Sequence, residues 1–239
     1  MTNVVAHRGA SGLVSFENTL DSFEKAIEVG SDMVEFDVRK TKDNVLVVFH
    51  DRIFADMPIN LATYSELENE ASVRGFHLPT FSEVLQLCHN RIFMDIEVKD
   101  HGYEKRLVHE LHKYASVNEY WVKSFNDRVS FCVKEIDNRI QTGLLLGKAK
   151  AKFRRRMTEL FPLRRLKACK ADFVSPNFRL LHFGFLMRMR LYRYPVYVWT
   201  VNDEAMMKKL YDKKVDGIIS DRPDLVRNVI FAEDSLGEE

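Results

Sequence analysis

The chain has 239 residues, 46% hydrophobic and 30% charged, which is enough apolar material for one large core and excludes a disordered protein. Thirty-six Lys and Arg against 35 Asp and Glu leave a net charge of +1, so no global field favours nucleic acid. Cys88, Cys132 and Cys169 are widely spaced with no Cys-x-x-Cys, which argues against a zinc cage or a disulfide framework.

In chain order, residues 3–6 read as a first strand that delivers His7-Arg8-Gly9 at its end. A helical period covers 17–30, and residues 33–38 then alternate as a strand. After the turn-like Lys42-Asp43-Asn44, residues 45–49 add a strand that ends on His50-Asp51. Residues 51–79 read as irregular, with one short helical piece around Glu66. So long a connection in a compact domain is usually functional, and two readings stand: a substrate-facing insertion or a surface elaboration. Strands are then predicted over 91–97, 120–122, 141–145, 173–175, 196–200 and 217–220. Helices are predicted over 81–89, 104–114, 128–136, 158–170, 204–213 and 223–231. Eight strands alternating with helices predict one α/β domain over 1–239, a (β/α)8 TIM barrel with a small insertion after the second strand.

Residues 148–170 carry Lys148, Lys150, Lys152, Arg154, Arg155, Arg156, Arg164, Arg165, Lys167 and Lys170 against Glu159 alone. Met157, Leu160, Phe161 and Leu163 interleave with them. Such an amphipathic basic helix makes peripheral contact with a lipid surface, or is a solvated barrel helix with its apolar face on the sheet. Widely spaced, reduced thiols, a start at Met1 without a basic n-region and the lack of a long apolar run predict a soluble cytoplasmic protein.

The chemistry-bearing residues fall at strand ends. Glu35 and Asp37 are two apart on one strand and point to one face, where two carboxylates repel unless a cation lies between them. A hard divalent ion suits oxygen donors, and Glu97 at the end of the next barrel strand is the third candidate ligand; the competing reading is an ion pair with Arg8 or Lys99. Histidine can give or take a proton near neutral pH, and His7 and His50 fit an acid and a base on opposite sides of a scissile bond. Arg8 and Lys99 are donors suited to a phosphate, with Glu17 placed to orient Arg8. Asn18 reads as a phosphate or metal-water contact or as a plain helix-start residue, and Trp199 as an aromatic wall for substrate or as core.

Taken in order, His7-Arg8-Gly9, Glu17-Asn18-Thr19, Glu35-Phe36-Asp37, Thr41-Lys42-Asp43, His50-Asp51, Leu78-Pro79-Thr80 and Ile96-Glu97-Val98-Lys99 resemble the glycerophosphodiester phosphodiesterase family. The tail, Val198-Trp199-Thr200-Val201-Asn202 followed by the run from Val215 to Pro223, completes a likeness that spans nearly the whole chain. Phe16 stands where the family has Pro, and Lys123 where it has the first Ser of a Ser-Ser-Phe motif. The resemblance implies a TIM barrel that hydrolyses glycerophosphodiesters to an alcohol and sn-glycerol 3-phosphate. It implies His7 and His50 as the acid/base pair, Glu35, Asp37 and Glu97 as ligands of Mg2+ or Ca2+, and Arg8 and Lys99 as phosphate contacts. Two alternatives stay open: a lysophospholipase D-type enzyme that takes a lipid with an acyl chain, and a phosphodiester-binding protein without turnover.

Overall fold

Period-two alternation along the strands organises the computed structural model, which describes residues 2–147 and 152–236. The first third of the chain forms β1 (Asn3–His7), α1 (Leu20–Glu28), β2 (Met33–Lys40), β3 (Leu46–Val48), β4 (Ile53–Phe54), β5 (Met57–Pro58) and α2 (Tyr64–Val73). The middle forms α3 (Phe81–Cys88), β6 (Phe93–Val98), α4 (Glu104–Tyr114), β7 (Tyr120–Ser124), α5 (Asp127–Ile136) and β8 (Gln141–Leu146). The last part forms α6 (Phe153–Leu160), α7 (Leu163–Ala168), β9 (Phe173–Pro176), α8 (Phe185–Leu191), β10 (Tyr197–Val198), α9 (Glu204–Asp212), β11 (Gly217–Ser220) and α10 (Pro223–Leu236).

Eight of these strands run parallel in the order β10-β11-β1-β2-β6-β7-β8-β9. Single parallel bridges, Val174 to Val196 and Asn177 to Trp199, join β9 to β10 and close the barrel. Val5, Met33, Trp121, Phe173, Tyr197 and Ile219 point inward and pack together. Their strand neighbours, such as Val34, Phe36, Met94, Ile96 and Val122 on one side and Val174, Val198 and Ile218 on the other, pack outward beneath the helices. The outer face of the sheet is thus apolar-covered along its length and the inner face at the end where the strands enter, as a parallel sheet buried on both sides requires. Among the described residues, no helix is long and apolar enough to cross a membrane.

Helix starts follow side-chain caps. Thr19, Thr63 and Thr80 each accept from the backbone three residues on, with Ser22, Glu66 and Glu83 returning the bond. The cap at Thr19 moves the first helix to Leu20 and leaves Glu17 and Asn18 in the preceding loop, not in the helix that the 17–30 period suggests. The predicted helix 158–170 is two helices, α6 and α7, because Pro162 lacks the N–H that a continuous helix needs. Lys148 and Lys150 of the predicted basic run lie outside the described residues.

The stretch 51–79 is more regular than its sequence suggests. It folds as a β4–β5 hairpin and the ten-residue α2, around a satellite core of Val47, Phe54, Ile59, Leu67, Ala71 and Leu78. β3 pairs antiparallel with β2, Val38 opposite Val48, and thereby aims His50 back over the barrel end.

Candidate active site

Register brings the acids and bases to one level. On neighbouring strands His7 lies beside Glu35, Asp37 beside Glu97, and Glu97 beside Lys123. Loop geometry completes the arrangement. Arg8 and Gly9 both take positive φ, 54° and 80°, so the chain curls over the barrel and the Arg8 amide donates to Glu35 at 3.1 Å. Left-handed backbone at a bulky residue is uncommon and concentrates at functional sites. Gly9 is required there because a Cβ would stand 2.3 Å from Ser22 Oγ.

Glu35, Asp37 and Glu97 are buried and each offers an oxygen within 4.8 Å of the others. Burial disfavours the Asp37 anion, yet the charges of Lys99, Arg8 and His50 outweigh it and hold this carboxyl well below the usual range. Burial pushes Glu97 upward, Lys99 opposes it, and the neighbouring carboxylates Asp37 and Glu35 add to the rise, so the three acids crowd one another. Three buried oxygen donors in that condition fit a hard divalent cation and no soft one. Lys99 reaches Asp37 at 2.8 Å and Glu97 at 2.7 Å, so the ion-pair reading and the cation-site reading share the same acids. Burial works against the Lys99 ammonium, but these two carboxylates raise its pKa and keep it charged.

The histidines have matching surroundings. His7 Nδ1 lies 2.6 Å from Asp221 Oδ1, and His50 Nδ1 lies 2.7 Å from Asp51 Oδ1. A carboxylate at Nδ1 selects the tautomer that leaves Nε2 to face a reacting group. His7 Nε2 is 3.9 Å from Glu35. Arg39 donates through Nε and Nη2 to the His50 carbonyl and pairs with Asp100, which fixes the His50 loop.

Arg8 pairs with Glu17 at 2.7 Å and approaches Asp37 at 3.4 Å, and its Nε is buried without a hydrogen-bond acceptor. Asn18 is buried and its amide clasps Asp37, donating to Oδ2 and accepting from the backbone N–H. Its side chain is thus spent on an acid of the cluster. Trp199 donates to the Ser175 carbonyl at 2.8 Å and meets Phe125 edge-on, with its ring on the cavity wall. His7, Arg8, Glu35, His50, Glu97, Lys99 and Trp199 all line one cavity of about 70 Å3 at the barrel mouth. That cavity shares His50, Phe125 and Trp199 with a wider cleft of about 750 Å3, walled by Leu160, Leu180 and Phe183.

The motif pattern assigns no role to Asp221, Lys123 or Arg39. Asp221 falls only within the tail run from Val215 to Pro223, although Ser220 pairs with Ala6 in register and so carries Asp221 to His7. Burial opposes the Asp221 anion, but bonds from His7, Asn202 and Ser11 lower its pKa to about 2. Lys123 is fully buried on the cavity floor, 2.5 Å from Asp95 and 3.5 Å from Glu35. The available signal was its place on the inward face of β7, in register with Glu97.

The sequence profile of the Glycerophosphoryl diester phosphodiesterase family matches residues 7–225. A glycerophosphodiester phosphodiesterase of Caldanaerobacter subterraneus subsp. tengcongensis is 28% identical over 96% of this chain and 98% of its own. The crystal structure of a glycerophosphodiester phosphodiesterase from Parabacteroides distasonis superposes with a TM-score of 0.83 at 26% identity and covers 98% of both chains. A phosphodiesterase of Oleispira antarctica, solved in complex with the product sn-glycerol-3-phosphate, shares the fold at a TM-score of 0.82 and 23% identity, over 96% of this chain and 97% of its own. The chain belongs to the glycerophosphoryl diester phosphodiesterase family and is a phosphoric diester hydrolase built on a (β/α)8 barrel.

Proposed function

We propose that the enzyme cleaves glycerophosphodiesters to an alcohol and sn-glycerol 3-phosphate, with His7 and His50 as the acid/base pair and a divalent cation held by Glu35, Asp37 and Glu97. The observation that carries this reading is the meeting of three buried carboxylates, two carboxylate-backed imidazoles and two cations, Arg8 and Lys99, at one small cavity. A cation bound by the three acids supplies Lewis-acid polarisation of the phosphoryl group. Arg8 and Lys99 orient the phosphate and counter the charge that grows on its oxygens. One imidazole takes the proton of the attacking oxygen through Nε2, and the other returns a proton to the leaving alcohol. Asp221 and Asp51 hold the two rings for those transfers. Trp199 and Phe125 wall the position of the carbon skeleton.

Residues 51–79 belong, in this reading, to the substrate face of a single domain. Arg52, Ile59 and Asn60 border a cavity of about 440 Å3 that reaches Lys99 and Asn126. The direct assay is release of glycerol 3-phosphate from glycerophosphocholine. We expect EDTA to abolish it and Mg2+ or Ca2+ to restore it; turnover that survives exhaustive chelation would reject the cation site.

The apolar cleft beside His50 favours one second reading, a lysophospholipase D-type reaction with an acyl chain along Leu160, Leu180 and Phe183. Comparing turnover of glycerophosphocholine with lysophosphatidylcholine separates the two, since an acyl-chain requirement rejects the first.

A further inference from the structure

The net charge of +1 conceals a strong separation. Residues 152–193 hold twelve Lys and Arg against only Glu159 and Asp172, a net +10 that leaves −9 for the rest of the chain. Both acids are held by cations. Glu159 is buried against Arg156, and Asp172 is bound by Lys134 at 2.7 Å.

The same segment carries a group of large apolar side chains in solvent. Phe153, Phe183, Met187 and Leu191 are between 70% and 79% exposed, and Phe161 and Tyr192 about half. Phe161, Tyr192 and the apolar side chains of α8 belong to one surface, and Phe153 opens the α6 helix that ends on it. Arg188 of α8 donates to the Leu160 carbonyl at the end of α6 and lies 4.6 Å from the Phe161 ring. Lys167 of α7 lies 5.6 Å from the Tyr192 ring after α8. Met187 and Leu191 are one turn apart and share a helix face. Phe183 also walls the cleft that runs inward to His50 and Trp199, so this surface rims the way to the catalytic cavity.

We propose that the α6–α8 face docks the enzyme on an anionic phospholipid surface. Exposed Lys152, Arg154, Lys167 and Arg193 meet lipid phosphates, while Phe153, Met187 and Leu191 enter the boundary between headgroups and acyl chains. Charge alone would suit any polyanion; the aliphatic side chains decide between them. Met187 and Leu191 gain nothing against a sugar–phosphate chain but lose water contact in a bilayer interface. Docking in this orientation rests on the proposed phosphodiesterase reading only in that the cavity mouth then faces the headgroups.

Co-sedimentation with phosphatidylcholine vesicles, with and without about one third phosphatidylglycerol, tests the idea. We expect partitioning at least ~10-fold stronger on the anionic vesicles, and weakened in ~0.5 M NaCl. The triple variant Phe153→Asp/Met187→Asp/Leu191→Asp and the double variant Arg154→Glu/Arg193→Glu should each lower it about tenfold, while turnover of soluble glycerophosphocholine stays within about twofold. Equal partitioning on neutral and anionic vesicles, variants that bind like the parent, or binding of RNA without binding of vesicles would each overturn the proposal. Absence of glycerophosphocholine turnover in the parent would instead strike the catalytic reading and leave the vesicle result standing.

Discussion

The same strands line both ends of the barrel interior, and the two ends work by opposite physics. Where the strands enter, Phe93, Trp121, Phe173 and Tyr197 fill the lumen, with Trp121 centred 4.8, 4.5 and 4.6 Å from the other three rings respectively. Gly143 has no side chain there because a Cβ would stand 2.2 Å from the Phe173 ring. Two residues further along β2, β6 and β7 the lumen turns to Glu35, Asp37, Asp95, Glu97 and Lys123. The Trp121 indole marks the boundary, donating to Asp95 at 2.6 Å. The aromatic end stabilises by non-directional burial. The charged end offers little net stability, since buried charges cost most of what their pairing returns, and every group there depends on a named partner. One end therefore holds the barrel together and the other gathers the residues proposed for the chemistry.

The largest effect should come from the apolar end. Phe173→Ala should cost about 3–5 kcal/mol in urea unfolding, with turnover per folded molecule within about twofold of the parent. A large loss of turnover in the folded fraction would break the division of labour. Next is Lys123→Met at the charged end. It strands Asp95 and Glu35 in a buried site and should cost about 3 kcal/mol, and Asp95→Asn on that background should recover about half. No recovery would show that Lys123 serves Glu35 alone.

His7→Ala or His50→Ala should reduce turnover at least ~100-fold, and the melting midpoint should shift by no more than about 2 °C. Near-parental turnover in either variant would remove that residue from the acid/base pair. The smallest effect is expected for Asp221→Asn, about a tenfold loss of turnover and about 1 kcal/mol of stability at pH 6. Asp221 has a folded pKa near 2 against an ordinary 3.8, so its stabilisation is complete above pH 3.8 and is lost as pH falls through 2. The stability difference between parent and variant, followed by urea titration, should therefore vanish by about pH 2.

Legibility in the sequence tracked locality. All eight barrel strands and most helices were readable, because alternation and capping are properties of neighbours in the chain. The two helices around Pro162 and the regular packing of 51–79 were not. The first needed weight on one proline against a strong apolar period, and the second is organised by contacts with Val47 and Leu78 outside its own run. Asn18 illustrates the limit at the site: its place beside Glu17 is visible in sequence, but its clasp on Asp37 is not.

What the amino-acid sequence determined on its own was the alternating barrel and the identity of the charged residues at the strand ends, since strand period, turn chemistry and family motifs are all short-range patterns. Tertiary structure alone decided which charges meet. His7 and Asp221 are 214 residues apart and join only because β11 lies beside β1 when the sheet closes. Lys123 finds Asp95 and Glu35 only because the inward faces of three strands lie in register. Partner choice inside a barrel is set by register and closure, which no local stretch of chain encodes.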